Sequence, residues 1–199
     1  MDARRAVSTD DHPVTLTVTD DLKRNRLTVF FRLLLVIPHA IVSLLWGVIA
    51  ILIVNPINWI ATLIMGRSPQ GLHNFLSSYV RYVNRVSAYK NLTADPFPPF
   101  GGGGTYPIDL EIPGPVEQKR LVTFFRMLLA IPAQILAAIL GMLVGVLGFL
   151  SWFVALALGR VPEGMRDINA WCHKYIGQTR AYAMLLTPRY PSLGGGPKA

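Results

Sequence analysis

Apolar and polar positions repeat along this chain in one pattern written twice. From Leu27 to Met65 the sequence is apolar almost throughout, with Arg32, His39, Asn55 and Asn58 as its strongly polar side chains. From Leu121 to Leu158 it is apolar again, and the strongly polar interruptions are Arg126 and Gln134. The runs open on nearly the same words, RLTVFFRLLLVIP from Arg26 and RLVTFFRMLLAIP from Arg120, 94 positions apart. The chain is therefore a duplication, each copy organised around one long apolar segment.

One helical crossing of a bilayer takes roughly 20 apolar residues, so each run is about twice as long as a single span requires. Lys23, Arg24 and Arg26 precede the first run and Arg67 follows it; basic residues at both ends place both on the cytoplasmic side. The expectation is a transmembrane hairpin in each copy, over 27–66 and 121–159. Its turn is expected between Gly47 and Asn58. There the offset between the copies falls from 94 (Gly47 to Gly141) to 93 (Trp59 to Trp152), and a single-residue length change is better tolerated in a turn than in a packed helix. Asn55-Pro56 in one copy and Gly145 with Gly148 in the other supply chain-breaking residues. The alternative is that these glycines are close-packing positions on continuous helices. Pro38 and Pro132 each remove a backbone donor and predict a kink in the first helix of each hairpin.

The flanking pattern is different. Leu72, Phe75, Leu76, Tyr79, Val83 and Val86 recur at helical spacing opposite Asn74, Arg81 and Arg85, and Met165, Ile168, Cys172, Tyr175, Ile176 and Thr179 do the same in the second copy. Helices over 70–92 and 163–186 are thus amphipathic, with cations on the polar side, and suit the membrane interface. Tyr79, Tyr82 and Tyr89 suit the same depth. Ahead of the first run Val14–Thr19 alternates as a strand does, and the stretch His12–Val18 lines up with Tyr106–Ile112 ahead of the second; the two strands are expected to pair with each other or with another chain. Residues 1–12 and 194–199 read as polar tails, and Gly101 to Gly104, within 101–106, as a flexible linker. The fold class expected is an all-α membrane protein of two tandem repeats, 13–100 and 107–193. Each repeat holds a short strand, a transmembrane helical hairpin and an amphipathic interface helix. The repeats are expected to run parallel, about a pseudo-twofold axis along the membrane normal.

Composition sharpens this picture. With 52% hydrophobic and 15% charged residues and a mean hydropathy of +0.41, the chain has too few charged groups to cover a soluble globule of its size. The net charge of +8 sits beside apolar runs, which points to anionic membrane lipids as partners rather than nucleic acid. The localisation expected is the cell's cytoplasmic membrane, multi-pass, with both termini cytoplasmic and a membrane protein complex as a further partner. One cysteine, Cys172, excludes an internal disulfide.

Candidate chemistry is sparse. No Asp or Glu occurs between Asn25 and Ala94, or between Gln118 and Pro162, so neither a carboxylate pair for acid/base work nor a carboxylate-rich metal site is expected in the apolar runs. The chain is expected to be no enzyme and to carry no cofactor or metal. His39 aligns with Ala133 and reads as a helical histidine bonded to a neighbouring carbonyl. His73 and His173 lack ligand spacing, and Cys172, aligned with Tyr79, reads as a packing residue. The duplication preserves Arg32 and Arg126. Either each snorkels to the interface, or the two, related by the pseudo-twofold, hold an anionic headgroup or substrate phosphate between the repeats. Arg67 and Arg160 serve the same headgroup layer or anchor the runs.

Gly66-Arg67-Ser68-Pro69, its counterpart Gly159-Arg160-Val161-Pro162, and the stretch from Arg85-Val86-Ser87-Ala88-Tyr89 through Leu92, Asp95, Phe97, Pro98, Pro99 and Phe100 carry a resemblance. They resemble a bacterial membrane family catalogued as domain of unknown function 4389, and the likeness extends over both repeats. It implies an integral membrane protein with paired hydrophobic segments and no established activity. The second copy departs from the pattern, with Pro188 where the first has Asp95 and Ser192-Leu193 where it has Pro99-Phe100, so a role for that acid belongs to the first copy alone. The function expected is a non-catalytic accessory, scaffold or membrane-organising one. A transporter or lipid-handling protein binding an anionic headgroup between the repeats is the alternative, and hairpins that shape one leaflet are the third.

Overall fold

A computed structural model describes residues 12–195. The expected N-terminal tail up to residue 11, and residues 196–199 of the C-terminal tail, lie outside them. The chain is mostly helical, in the order β1 (Thr15–Val18), α1 (Arg26–Phe30), α2 (Arg32–Met65), α3 (Gln70–Lys90), β2 (Ile108–Glu111), α4 (Arg120–Phe124), α5 (Arg126–Leu158) and α6 (Glu163–Ala183).

Neither apolar run turns back on itself, which corrects the expected hairpins. In the second copy α5 is α-helical throughout. In the first, α2 is α-helical over Arg32–Ile49 and Asn55–Met65, joined by a π-helical turn at Ala50–Val54. A π turn accommodates one extra residue while the helix on either side keeps its facing. The one-residue difference between the copies is therefore absorbed inside a continuous helix. Pro56 follows that turn at the start of the next α-helical segment, where its missing N–H is least costly. The helix also continues past Pro38 and Pro132, each of which leaves one backbone bond unmade; it is interrupted seven residues earlier, at Phe31 and Phe125 (φ −88°, ψ 7° and φ −87°, ψ 8°). Both long helices end on a left-handed glycine, Gly66 at φ 76° and Gly159 at φ 70°, the usual residue for that conformation.

The two long helices lie antiparallel, so the parallel arrangement of repeats is also corrected. Trp152 Nε1 donates to Val29 O at 2.9 Å and Trp59 Nε1 to Thr123 O at 2.8 Å. Arg26 donates to Ala157 O at 2.9 Å and Arg120 to Ile64 O at 3.0 Å. Each helix start thus binds the last turn of the other helix, where a cation meets the negative end of the helix dipole.

Behind the long helices stands a second layer, α3 and α6, packed on each other and on α2 and α5. Tyr82 and Tyr89 of α3 are buried against His39 and Arg32 of α2. A third layer is the antiparallel β1–β2 pair, Thr15 opposite Glu111 and Val18 opposite Ile108, whose Leu16, Ile108 and Leu110 are fully buried. The strands therefore pair with each other. The helices expected at the membrane interface are instead interior: Arg81 and Arg85 reach Asp109 of β2, each at 2.8 Å. They are covered on both sides because each has a layer against each face. The Gly101–Gly104 stretch is likewise pinned, with Arg85 donating to Gly103 O and Gly104 O. At Gly102 a Cβ would stand 2.4 Å from Ser78 O, so glycine serves close approach there rather than flexibility.

Candidate functional site

The layering leaves one face of the molecule apolar. Leu33, Leu34, Ile37, Ile41, Leu44 and Leu45 of α2, and Leu128, Ile131, Ile135, Ile139, Met142 and Phe149 of α5, are exposed. The same helices turn polar groups inward: Arg32, His39, Asn55, Asn58 and Thr62 from α2, and Arg126 and Ser151 from α5, are buried. Both helices have a mean hydropathy of 2.4 over their most apolar stretch, of which only 22% and 28% is buried, and by length and composition both could cross a membrane.

The duplicated arginines do not meet. Along the antiparallel pair Arg32 lies near the Trp152 end and Arg126 near the Trp59 end, separated by roughly 40 Å at the helical rise of about 1.5 Å per residue. A joint clamp between the repeats is therefore ruled out by the orientation of the helices. Each guanidinium is spent within its own copy. Arg32, 1% exposed, donates to Tyr89 O at 2.8 Å and Ala94 O at 2.9 Å, pairs with Asp95, and stacks 4.3 Å from the Tyr89 ring. Arg126 donates to Thr187 O at 3.2 Å and to Gln118 Oε1, and stacks 4.1 Å from Tyr182. Neither snorkels; both tie a long helix to the turn after the second-layer helix. That turn contains Leu92 (φ 59°) and Leu185 (φ 61°).

The substitution of Pro188 for Asp95 is accompanied by a second change. Arg24 donates to Leu92 O at 3.0 Å and pairs with Asp20 at 2.7 Å; its counterpart Gln118 donates to Leu185 O without a charge. The first copy thus buries two cations against two carboxylates, and the second buries Arg126 among neutral acceptors. Arg67 and Arg160 are exposed at opposite ends of the long helices, beside Glu117 and Lys23 respectively.

Among the described residues His39 hydrogen-bonds to no carbonyl, contrary to expectation. Its Nδ1 lies 2.8 Å from Tyr82 Oη, and its ring stacks with Phe97 and Phe100 at 4.4 and 4.6 Å. His173 is fully buried between Asn169 O (2.7 Å) and Ser87 Oγ (3.1 Å), and burial pushes its pKa down to about 4. Burial alone would raise the pKa of Asp109, but its hydrogen bonds with Arg85 and Arg81 outweigh that and hold it below the ordinary range. Cys172 is buried against Leu140 and Val144.

Between the long helices and the second layer lies a cavity of about 470 Å³. Ile51 and Asn55 of α2, Gln134 and Ala138 of α5, and Tyr79 and Arg180 from the second layer are among its walls. An adjoining apolar cavity of about 310 Å³ shares Ile51 and Tyr79 and continues past Gly47, Leu44 and Val48. The pseudo-symmetric position is closed, because Asn91 packs onto Gly148, where a Cβ would stand 2.6 Å from its Oδ1. Arg180 was not singled out by the sequence. The only early signal was that it aligns with Ser87, a cation without a counterpart in the other copy.

The profile of one family, described as "Domain of unknown function (DUF4389)", matches residues 26–101 and again residues 120–193. No curated protein and no solved structure matches the chain.

Proposed function

Since the chain belongs to the family described as a domain of unknown function (DUF4389), in two tandem copies, and that membership assigns no activity, we propose a function from the geometry. The protein is a leaflet-embedded, non-catalytic, membrane-organising protein, with its two long helices lying in the plane of one membrane face. The observation that carries this reading is that α2 and α5 are apolar outside and polar inside along most of their length, with Gln134 the exposed exception, and that the polar layers stand behind them.

Two physical arguments favour the in-plane placement over a crossing. At about 1.5 Å per residue, α2 and α5 are each about 50 Å long, against a hydrocarbon thickness of about 30 Å. Spanning helices would also carry the Arg81–Arg85–Asp109 cluster into the bilayer and put basic ends on both sides of it, since Lys23 and Arg160 lie at one end and Arg67 and Lys119 at the other. Lying flat, all of these cations face one layer of anionic headgroups. The pseudo-twofold then does stand along the membrane normal, because antiparallel helices are exchanged by an axis perpendicular to both. A non-catalytic role is supported by the use of the buried ion pairs as ties between layers.

Single cysteines at Arg67→Cys and Arg160→Cys, in a Cys172→Ser background, test the placement. A membrane-impermeant maleimide should label both from the same side of sealed vesicles. Labelling from opposite sides means that the helices cross, and the in-plane reading fails.

A further inference from the structure

Two polar groups have no explanation in the packing. Gln134 is the one strongly polar side chain within α5 beyond Arg126, and among the described residues it has no hydrogen-bond partner. Arg180 makes no ion pair and no side-chain hydrogen bond among the described residues, and its Nη1 is buried and unpartnered. Arginine does not escape the cost of burial by losing its proton; Arg180 is half-buried, and its inner nitrogen, shut off from solvent without a partner, carries part of that cost. Burial disfavours its charged form, and the nearby Tyr79 only partly offsets this. Both residues line the 470 Å³ cavity, as does Asn55, whose Oδ1 is also buried without a partner. The adjoining apolar cavity leads from Tyr79 onto the exposed face of α2.

A planar guanidinium offers several donors to an oxyanion, and Gln134 can add a neutral donor. The continuing track, bordered by Leu44, Val48, Ile51 and Leu52, suits an alkyl chain. We propose that the paired cavities bind a single anionic amphiphile, its phosphate or carboxylate on Arg180 and Gln134 and one chain in the apolar track. This site rests on the in-plane reading to the extent that the track opens on the face assigned to the leaflet. It occurs once per molecule, because the related position is filled by Asn91 against Gly148.

The test uses the full chain purified in a neutral detergent. Native mass spectrometry follows adducts with phosphatidylglycerol, a fatty acid, phosphatidylcholine of matched chain length, and inorganic phosphate. The wild type should retain one anionic amphiphile in preference to phosphatidylcholine. Arg180→Gln should weaken that retention by at least about tenfold, as expected for loss of a charged hydrogen-bond donor, and Arg180→Lys should recover part of it. Whichever of phosphatidylglycerol and the fatty acid binds more tightly identifies the head as phosphate or carboxylate. Ala138→Phe, which fills the cavity from an exposed wall position, should abolish the adduct with Arg180 intact, and it decides the matter if Arg180→Gln does not fold. The proposal is overturned if both variants bind as the wild type does, if phosphatidylcholine binds equally well, or if inorganic phosphate displaces the amphiphile at equal concentration, which would make the site one for a free anion. Loss of the adduct with same-side labelling of Arg67→Cys and Arg160→Cys maintained confirms the site on an intact in-plane molecule. Opposite-side labelling with adducts unchanged by the variants removes both readings separately.

Discussion

Arg32 and Arg126 occupy the same position in the two copies, and their charges are balanced differently. Arg32 is paired with Asp95, which is 28% exposed, so part of the interaction is screened by solvent. Arg32→Met should cost about 2–3 kcal/mol, below the 3–5 typical of breaking a fully buried pair. Arg126→Met leaves only neutral acceptors behind and should cost less, about 1–2 kcal/mol. Thermal unfolding in detergent gives the order, and equal losses would refute it. His173 makes a second prediction. Its folded pKa of about 4 lies below the unfolded value of about 6.5, so between these values the unfolded chain binds more protons. Its neutral form therefore supports the fold above pH 6.5, and that support is lost as the pH falls towards 4, to a limit of about 3 kcal/mol. His173→Gln should flatten the fall in melting temperature between pH 7 and pH 5; an unchanged slope would assign it to other groups. None of this balance was legible in the sequence, because Asp95 and Arg32 are 63 positions apart and only the fold brings them together.

Among the elements, the informative comparison is α2 with α5. Their sequences differ in length by one residue, and the sequence located that difference within Gly47–Asn58, the window that holds the π turn at Ala50–Val54. What it could not say is whether the extra residue makes a turn or a wider helical turn, since both tolerate an insertion. Deleting Leu52 should convert the π turn into a regular α-helical one and leave the chain folded, because the flanking faces keep their register. Deleting Val146 from α5 has no such reserve. It rotates everything beyond by about 100°, carrying Ser151 and Ala155 out of the core. Size-exclusion profiles of the two deletions should be monodisperse for the first and aggregated for the second; the reverse would disprove the equivalence. The spacing of apolar positions predicts helices over 70–92 and 163–186, and the structure has α3 at Gln70–Lys90 and α6 at Glu163–Ala183, packed between the long helices and the strands. A cation-bearing face looks the same in sequence whether it meets headgroups or, as here, the carboxylate of Asp109.

For the whole molecule, the distribution of polarity supports the in-plane placement proposed above. Fluorophores attached at Leu44→Cys and Leu143→Cys, midway along the exposed face, and at Leu33→Cys, near one end, should be quenched by nitroxide lipids at one common depth, about 5–10 Å below the headgroups. A mid-helix depth near the bilayer centre with a shallow end would establish a crossing instead. The sequence by itself determined the duplication, the two long apolar segments, the two short strands and the lack of carboxylates in the apolar runs, because these follow from periodicity and composition within short stretches of chain; which strand each one pairs with was left to the fold. Only the tertiary structure decided that each segment is a single helix, that the two lie antiparallel, that the duplicated arginines are separate internal ties, and that Arg180 faces a cavity with Gln134. Each of those depends on which distant residues share a neighbourhood, and local pattern carries no information about that.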